Sequence, residues 1–193
     1  MLAYAALTWL GMLLFGRAQW LGRGEVFTLV FGLMARFAPT EVRESDSGSR
    51  TLHLRPYGVG LLSREPMPTS MVVLVLAMLA AVSFDGFTET PLWASMLEYY
   101  APPAQGMTSD GEAARTWLQT AGVVGAPLLF VGVYLVVCRL VAWSGGARVP
   151  AARVAGLFVL TLVPIAIAYH LAHYLSFLVV AWQYLISLAS DPF

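Results

Sequence analysis

From Trp117 to Cys138 the chain carries no Asp, Glu, Lys or Arg, and the same holds from Val154 to Ala189. At 1.5 Å of rise per residue, either stretch can cross a hydrocarbon core about 30 Å thick. In that medium the backbone must bond to itself, so both stretches predict helices. Composition agrees, with 59% of the 193 residues hydrophobic and 11% charged, against roughly 25% charged in an average soluble domain. The expected fold is all-α: a polytopic helical membrane protein forming a single integral membrane domain over residues 1–193. The formal net charge is zero and no basic tract occurs, which argues against nucleic acid and leaves the lipid bilayer as the main partner.

Four apolar stretches predict about four spans, near residues 2–16, 70–89, 117–140 and 154–180. The first, Leu2–Phe15, is short for a span, as though it belonged to something longer. It lacks a preceding basic residue, so it does not read as a cleaved signal peptide. The last continues to Ala189, too long for one perpendicular helix, and Pro164 is expected to kink it.

Orientation follows from arginine, because all 11 basic residues are Arg. Arg17, Arg23, Arg36, Arg43, Arg50, Arg55 and Arg64 lie between the first two spans, and Arg139, Arg148 and Arg153 flank the third connection. The second connection has only Arg115, among Asp85, Glu89, Glu98, Asp110 and Glu112. The positive-inside rule therefore places the arginine-rich segments in the cytoplasm and both termini outside.

Local signals fill in the connections. Gly24–Ala38 is apolar enough to lie in the interface or dip into the bilayer, with an Arg23–Glu25 ion pair beside it. Glu44–Arg50 reads as a polar loop, and Thr51–Leu62, around Pro56-Tyr57-Gly58, as a small cytoplasmic β-hairpin holding a surface His53. Thr90-Pro91 reads as the N-cap and first turn of a short helix through Tyr100, and Ala101–Glu112 as loop. The six tryptophans mostly fall near span ends, as interfacial anchors do.

Ionisable residues in spans are functional candidates because burying them in lipid is costly. His170 and His173, three apart, share one helix face; Asp85 and Glu89, four apart, do so if the helix continues through Gly86. Counted from the cytoplasmic ends, both pairs lie roughly 24–30 Å along their helices, at matching depth near the outer surface. Two imidazoles and one or two carboxylates make a plausible ligand set for zinc or a similar divalent metal. The same residues also suit a proton relay or a transported-cation site, or plain hydrogen bonds between helices. Haem is disfavoured, since bis-histidine ligation in a bundle usually draws on two helices. Tyr184 shares the histidine face. Cys138 has no partner for an internal disulfide.

Several segments resemble a group of bacterial inner-membrane proteins labelled fenitrothion hydrolase. They are Phe15-Gly16-Arg17, Arg23-Gly24-Glu25-Val26-Phe27, Ala35-Arg36-Phe37-Ala38-Pro39-Thr40-Glu41, Phe84-Asp85-Gly86, Tyr169 to Ser176, and Leu188 to Phe193. The resemblance implies an inner-membrane location and hydrolysis of an organophosphate ester. It also implies a longer parent protein, with missing N- and C-terminal parts or other membrane subunits as partners. The leading expectation is a metal-dependent hydrolase-like protein at the outer side of the bilayer, with His170, His173, Asp85 and Glu89 holding the ion that activates water. The alternatives are a transport or ion-conducting subunit and a structural partner of a membrane complex.

Overall fold

The computed structural model describes residues 2–45, 48–63, 65–101, 109–146 and 149–190. Arg64, Arg148, Asp191–Phe193 and most of the Ala101–Glu112 loop therefore lie outside the described residues, as does the Asp110 side chain. Among the described residues helices dominate, and the one sheet is a two-stranded hairpin. The chain packs as two compact units, Met1–Ser63 and Arg64–Phe193.

In the first unit, α1 (Leu2–Phe15) ends at Gly16, whose φ of +82° turns the chain into α2 (Arg17–Arg23). The left-handed backbone there favours glycine. Gly11 of α1 lies under the Trp20 ring, where an added Cβ would come within 2.2 Å of an indole carbon. Helix α1 is 14 residues long, about 21 Å, and so falls short of the hydrocarbon core that the expected first span has to cross.

Helix α3 (Val26–Phe37) is capped at both ends by charged side chains. At its start the Glu25 carboxylate accepts from the amides of Phe27 (3.1 Å) and Thr28 (2.6 Å), and from the hydroxyls of Thr28 and Tyr4. Glu25 is 7% exposed and serves as this cap; it does not form the expected ion pair with Arg23. Four donors converge there, including backbone amides at a positive helix end, and this geometry outbids a flexible neighbouring guanidinium. At the other end Arg55 donates to the carbonyls of Ala35 (3.2 Å), Arg36 (3.3 Å) and Ala38 (3.3 Å). A cation is thereby set on the negative end of the helix dipole.

The hairpin is displaced from its expected position. Strands β1 (Thr40–Glu44) and β2 (Arg50–Leu54) pair antiparallel, Glu41 opposite His53 and Glu44 opposite Arg50. The polar segment expected as a loop supplies the turn: Gly48 has φ of +76° and its amide bonds the Ser45 carbonyl at 2.8 Å. Pro56 to Gly58 leads instead into a single 3-10 turn, Val59–Leu61, while the Gly58 amide reaches back to the Phe37 carbonyl at 3.0 Å. His53 is exposed, as expected.

Among the described residues of the second unit, three helical stretches are long and apolar enough to cross a membrane: Thr69–Thr88, Glu112–Ser144 and Ala151–Ser190. The first is α4 (Thr69–Thr88), whose residues Val72, Val75, Leu76 and Ala80 form a buried stripe at helical spacing. Next comes α5 (Pro91–Tyr100), whose Thr90 hydroxyl accepts from the Trp93 amide as its N-cap. Then α6 (Ser109–Ser144) begins well before the expected Trp117. The last stretch is not one unbroken α-helix: a 3-10 interruption directly precedes Pro164, where a kink is expected. Helix α7 (Ala151–Phe158) gives way to a 3-10 turn, Val159–Leu162, before α8 (Val163–Ser190).

The packing defines direction. Phe84 of α4 lies against Gly122 of α6, while the Met67 amide just before α4 donates to the Gly156 carbonyl of α7 at 2.9 Å. At the far end of α4, Gly86 lies against Tyr169 of α8. Thus α4 runs parallel to α7–α8 and antiparallel to α6. The outward surfaces of α6 and α8 are apolar, as a lipid-facing surface requires, with Leu128, Leu129, Val133 and Val136 exposed on α6.

Two outcomes follow. Gly156→Ala would set a Cβ 2.6 Å from the Met67 carbonyl oxygen, and should cost about 1–3 kcal/mol as an overpacked contact. Tyr134→Phe removes the 2.7 Å bond to the Ala155 carbonyl and should cost about 1 kcal/mol. Unfolding in detergent measures both, and wild-type stability of Gly156→Ala would refute the close contact. The second outcome concerns pH. Hydrogen bonds from Thr28 and Tyr4 hold the Glu25 carboxyl at about 2, below its ordinary value of 4.5. A depressed carboxyl stabilises the fold fully above its ordinary value and progressively loses that contribution as pH falls toward about 2. The melting temperature of the wild type should therefore fall more steeply than that of Glu25→Gln between about pH 5 and pH 2.

Candidate functional site at the α4–α8 end

The sequence Phe84-Asp85-Gly86-Phe87 forms the last turn of α4, and each of its residues has a distinct setting. Phe84 and Phe87 stack edge-on to Trp93 of α5, both with ring centroids 5.5 Å away. Trp93 is 5% exposed, so this tryptophan is a packing residue and not an interfacial anchor. Trp9, Trp117, Trp143 and Trp182 are exposed, as anchors are. Gly86 admits the Tyr169 hydroxyl, which would lie 3.0 Å from a Cβ built there. Phe84 and Phe87 are half-buried against Trp93, whereas Asp85 and Glu89 are exposed. Helix α4 ends at Thr88, so Glu89 is its C-cap and not a member of an unbroken helical face.

On α8 both histidines are half-buried. His170 Nδ1 lies 2.7 Å from the Ala166 carbonyl oxygen. A carbonyl can only accept, so Nδ1 carries the proton and, in the neutral ring, Nε2 carries the lone pair. His173 meets Tyr174 edge-on, centroids 5.1 Å apart and planes at 83°. Tyr184 lies fourteen residues beyond His170, about 21 Å farther along α8, and is 75% exposed.

The contact of Gly86 with Tyr169 thus brings the carboxylate-bearing end of α4 to the level of the histidine-bearing turn of α8. It does not gather all four side chains. Among the described residues no group of three or more His, Cys, Asp or Glu side chains is placed to hold a metal ion. His170 and His173 are held together by their shared helix; Asp85 and Glu89 point to the exposed side of theirs.

Sequence reasoning missed Tyr169, the residue that brings the helices together, although it directly precedes His170. A small residue on one helix facing an aromatic on another is the available signal, but only the fold tells which pairs meet. It also missed an apolar groove of about 530 Å³ between α4, α6 and α7, lined by Leu76, Phe130, Tyr134, Cys138, Val154 and Phe158.

No protein-family model, curated protein or solved structure matches the chain.

The hydrogen bond to Ala166 yields a direct prediction. In the detergent-solubilised protein, ¹⁵N shifts of neutral His170 should show Nδ1 protonated and Nε2 bare. A protonated Nε2 with bare Nδ1 would contradict the bond.

Proposed function

We propose that the chain is a multi-pass protein of the bacterial inner membrane that handles protons or a small cation where the last turn of α4 meets the histidine-bearing turn of α8. The observation that carries this reading is the Gly86–Tyr169 contact, which sets two carboxylates and two imidazoles at one level on parallel helices. Ionisable groups inside apolar helices, as Asp85, His170 and His173 are, are rare and mark proton or ion paths. Exposed carboxylates at the level of half-buried imidazoles suit passing a proton or binding a cation loosely, tasks that need no closed set of three ligands.

Charge distribution supports the orientation. The parallel course of α4 and α7–α8 sets Arg153 at the Met67 end and Asp85, Glu89 and Glu112 toward the opposite one. The positive-inside rule assigns the arginine end, with the 17–64 segment, to the cytoplasm and the end of α8 to the outside.

A second reading is favoured by the His170 tautomer. An imidazole whose Nδ1–H is held by a carbonyl presents Nε2 as a metal ligand. With the resemblance to proteins labelled fenitrothion hydrolase, it makes a zinc-dependent hydrolase the competing proposal, with Asp85 or Glu89 completing the ligand set after a side-chain rearrangement.

The experiment combines flux with elemental analysis. Proteoliposomes bearing the full chain should dissipate an imposed pH or cation gradient, and His170→Gln with His173→Gln should reduce that flux about tenfold or more. Stoichiometric zinc in the purified protein, lost in the double variant without loss of fold, would establish the hydrolase reading instead. Neither flux nor metal would sink both and leave a structural role in a larger complex.

A further inference from the structure

Glu41 shows what the first unit's arginines can do. Its carboxylate receives Arg43 through Nε and Nη2, each at 3.0 Å, and Arg55 through Nη1, also at 3.0 Å. Two guanidinium groups thus converge on one anion. They do so at the edge of a concave pocket of about 650 Å³ formed by the end of α3, β1 and the 3-10 turn. A third guanidinium, Arg36, belongs to the same lining, half-buried, and makes no side-chain hydrogen bond or ion pair among the described residues. The pocket therefore holds three fixed positive charges against one negative, and Arg keeps its charge at any physiological pH.

Space and rigidity favour a ligand over a collapsed salt bridge. Arg55 is immobilised, since its remaining donors are committed to the α3 carbonyls and Gly60 packs against it. A Cβ at Gly60 would lie 2.4 Å from the Arg36 carbonyl oxygen, so the turn can lie this close only with glycine. Thr40 and Ser63 line the same concavity. Val42 and Leu62 also line it and are 63% and 81% exposed. An anionic floor-binding group joined to an apolar stem matches this mixture, and forked guanidinium donors match a phosphate better than a halide.

We propose that the pocket lined by Arg36, Arg43 and Arg55 is a binding site for a phosphate group, either that of an anionic phospholipid or free phosphate. Arg36 supplies the uncommitted donors, Arg43 shares its outer N–H groups between Glu41 and the ligand, and Thr40 lines the same concavity. Basic pockets beside apolar surface are the usual form of headgroup sites on the cytoplasmic face of membranes. The inference rests on the first unit alone and is independent of the histidine site.

The test uses the full chain in uncharged detergent, titrated calorimetrically with dihexanoyl-phosphatidylglycerol, dihexanoyl-phosphatidylcholine and inorganic phosphate. Phosphatidylglycerol or phosphate should bind, phosphatidylcholine at least about tenfold more weakly. Preference for phosphatidylglycerol over phosphate identifies the lipid as the source, and equal binding identifies the free anion. Arg36→Gln should weaken binding about tenfold, the loss of one charge-assisted contact, while Arg17→Gln, outside the pocket, should change it less than about twofold. Arg43→Gln serves as a second pocket variant, with circular dichroism and melting confirming the fold of each. Absence of binding by both anions, or equal effects of Arg36→Gln and Arg17→Gln, would overturn the proposal.

Discussion

A proline near the start of a membrane helix removes an amide donor, and in hydrocarbon the carbonyl it leaves behind has no water to turn to. Here Pro164 leaves the Leu160 carbonyl without its usual partner, and the chain responds by tightening into the 3-10 turn Val159–Leu162, whose Val163 amide takes that carbonyl. The break propagates. Around it, the Ala155 carbonyl accepts the Tyr134 hydroxyl from α6, and the Gly156 carbonyl accepts the Met67 amide from the segment entering α4. Polar bonds thus tie α6, α7 and the segment entering α4 just before the 3-10 turn. Gly156, without a side chain, lets the Met67 backbone approach.

The same economy of polar groups organises the first unit. Helix α3 has a carboxylate at its amide end and a guanidinium at its carbonyl end, each the sign that the helix dipole favours. Both come from outside the helix, Arg55 from beyond the hairpin, so capping α3 also fixes how the hairpin folds back on it. The charged pocket is a by-product of that arrangement: Arg55 is positioned by its structural task, and Arg36 and Arg43 are brought beside it.

At the far end of α4 the aromatic cluster of Phe84, Phe87 and Trp93 takes the buried side, and Tyr169 fills the gap at Gly86. Apolar packing thereby decides which polar groups remain outside it. Asp85, Glu89 and the two histidines are what the packing leaves available, on a surface otherwise lacking ionisable groups over long stretches of helix. A site made this way is open and weakly prearranged.

Much of the architecture was legible because it depends on neighbours along the chain. Uncharged apolar runs specify helices that can cross a membrane, since hydrocarbon tolerates little else; Thr90-Pro91 caps its helix through atoms three residues away; Pro164 lacks the amide that the Leu160 carbonyl would otherwise receive, and the 3-10 turn falls just before it. The rest depended on residues distant in sequence. The Glu25 carboxylate pairs with Tyr4, 21 residues earlier, and not with the adjacent arginine. Arg55 reaches carbonyls 17 to 20 residues upstream, and that bonding, with the Gly48 turn, sets the hairpin where periodicity alone does not. Asp85 and His170 could be assigned the same depth from helix lengths, but depth is one coordinate. Whether side chains at one depth also face one another depends on the rotation of each helix about its axis. Packing sets that rotation, through Phe84 on Gly122 and Tyr169 on Gly86, and so decided which residues of the expected metal set stand together.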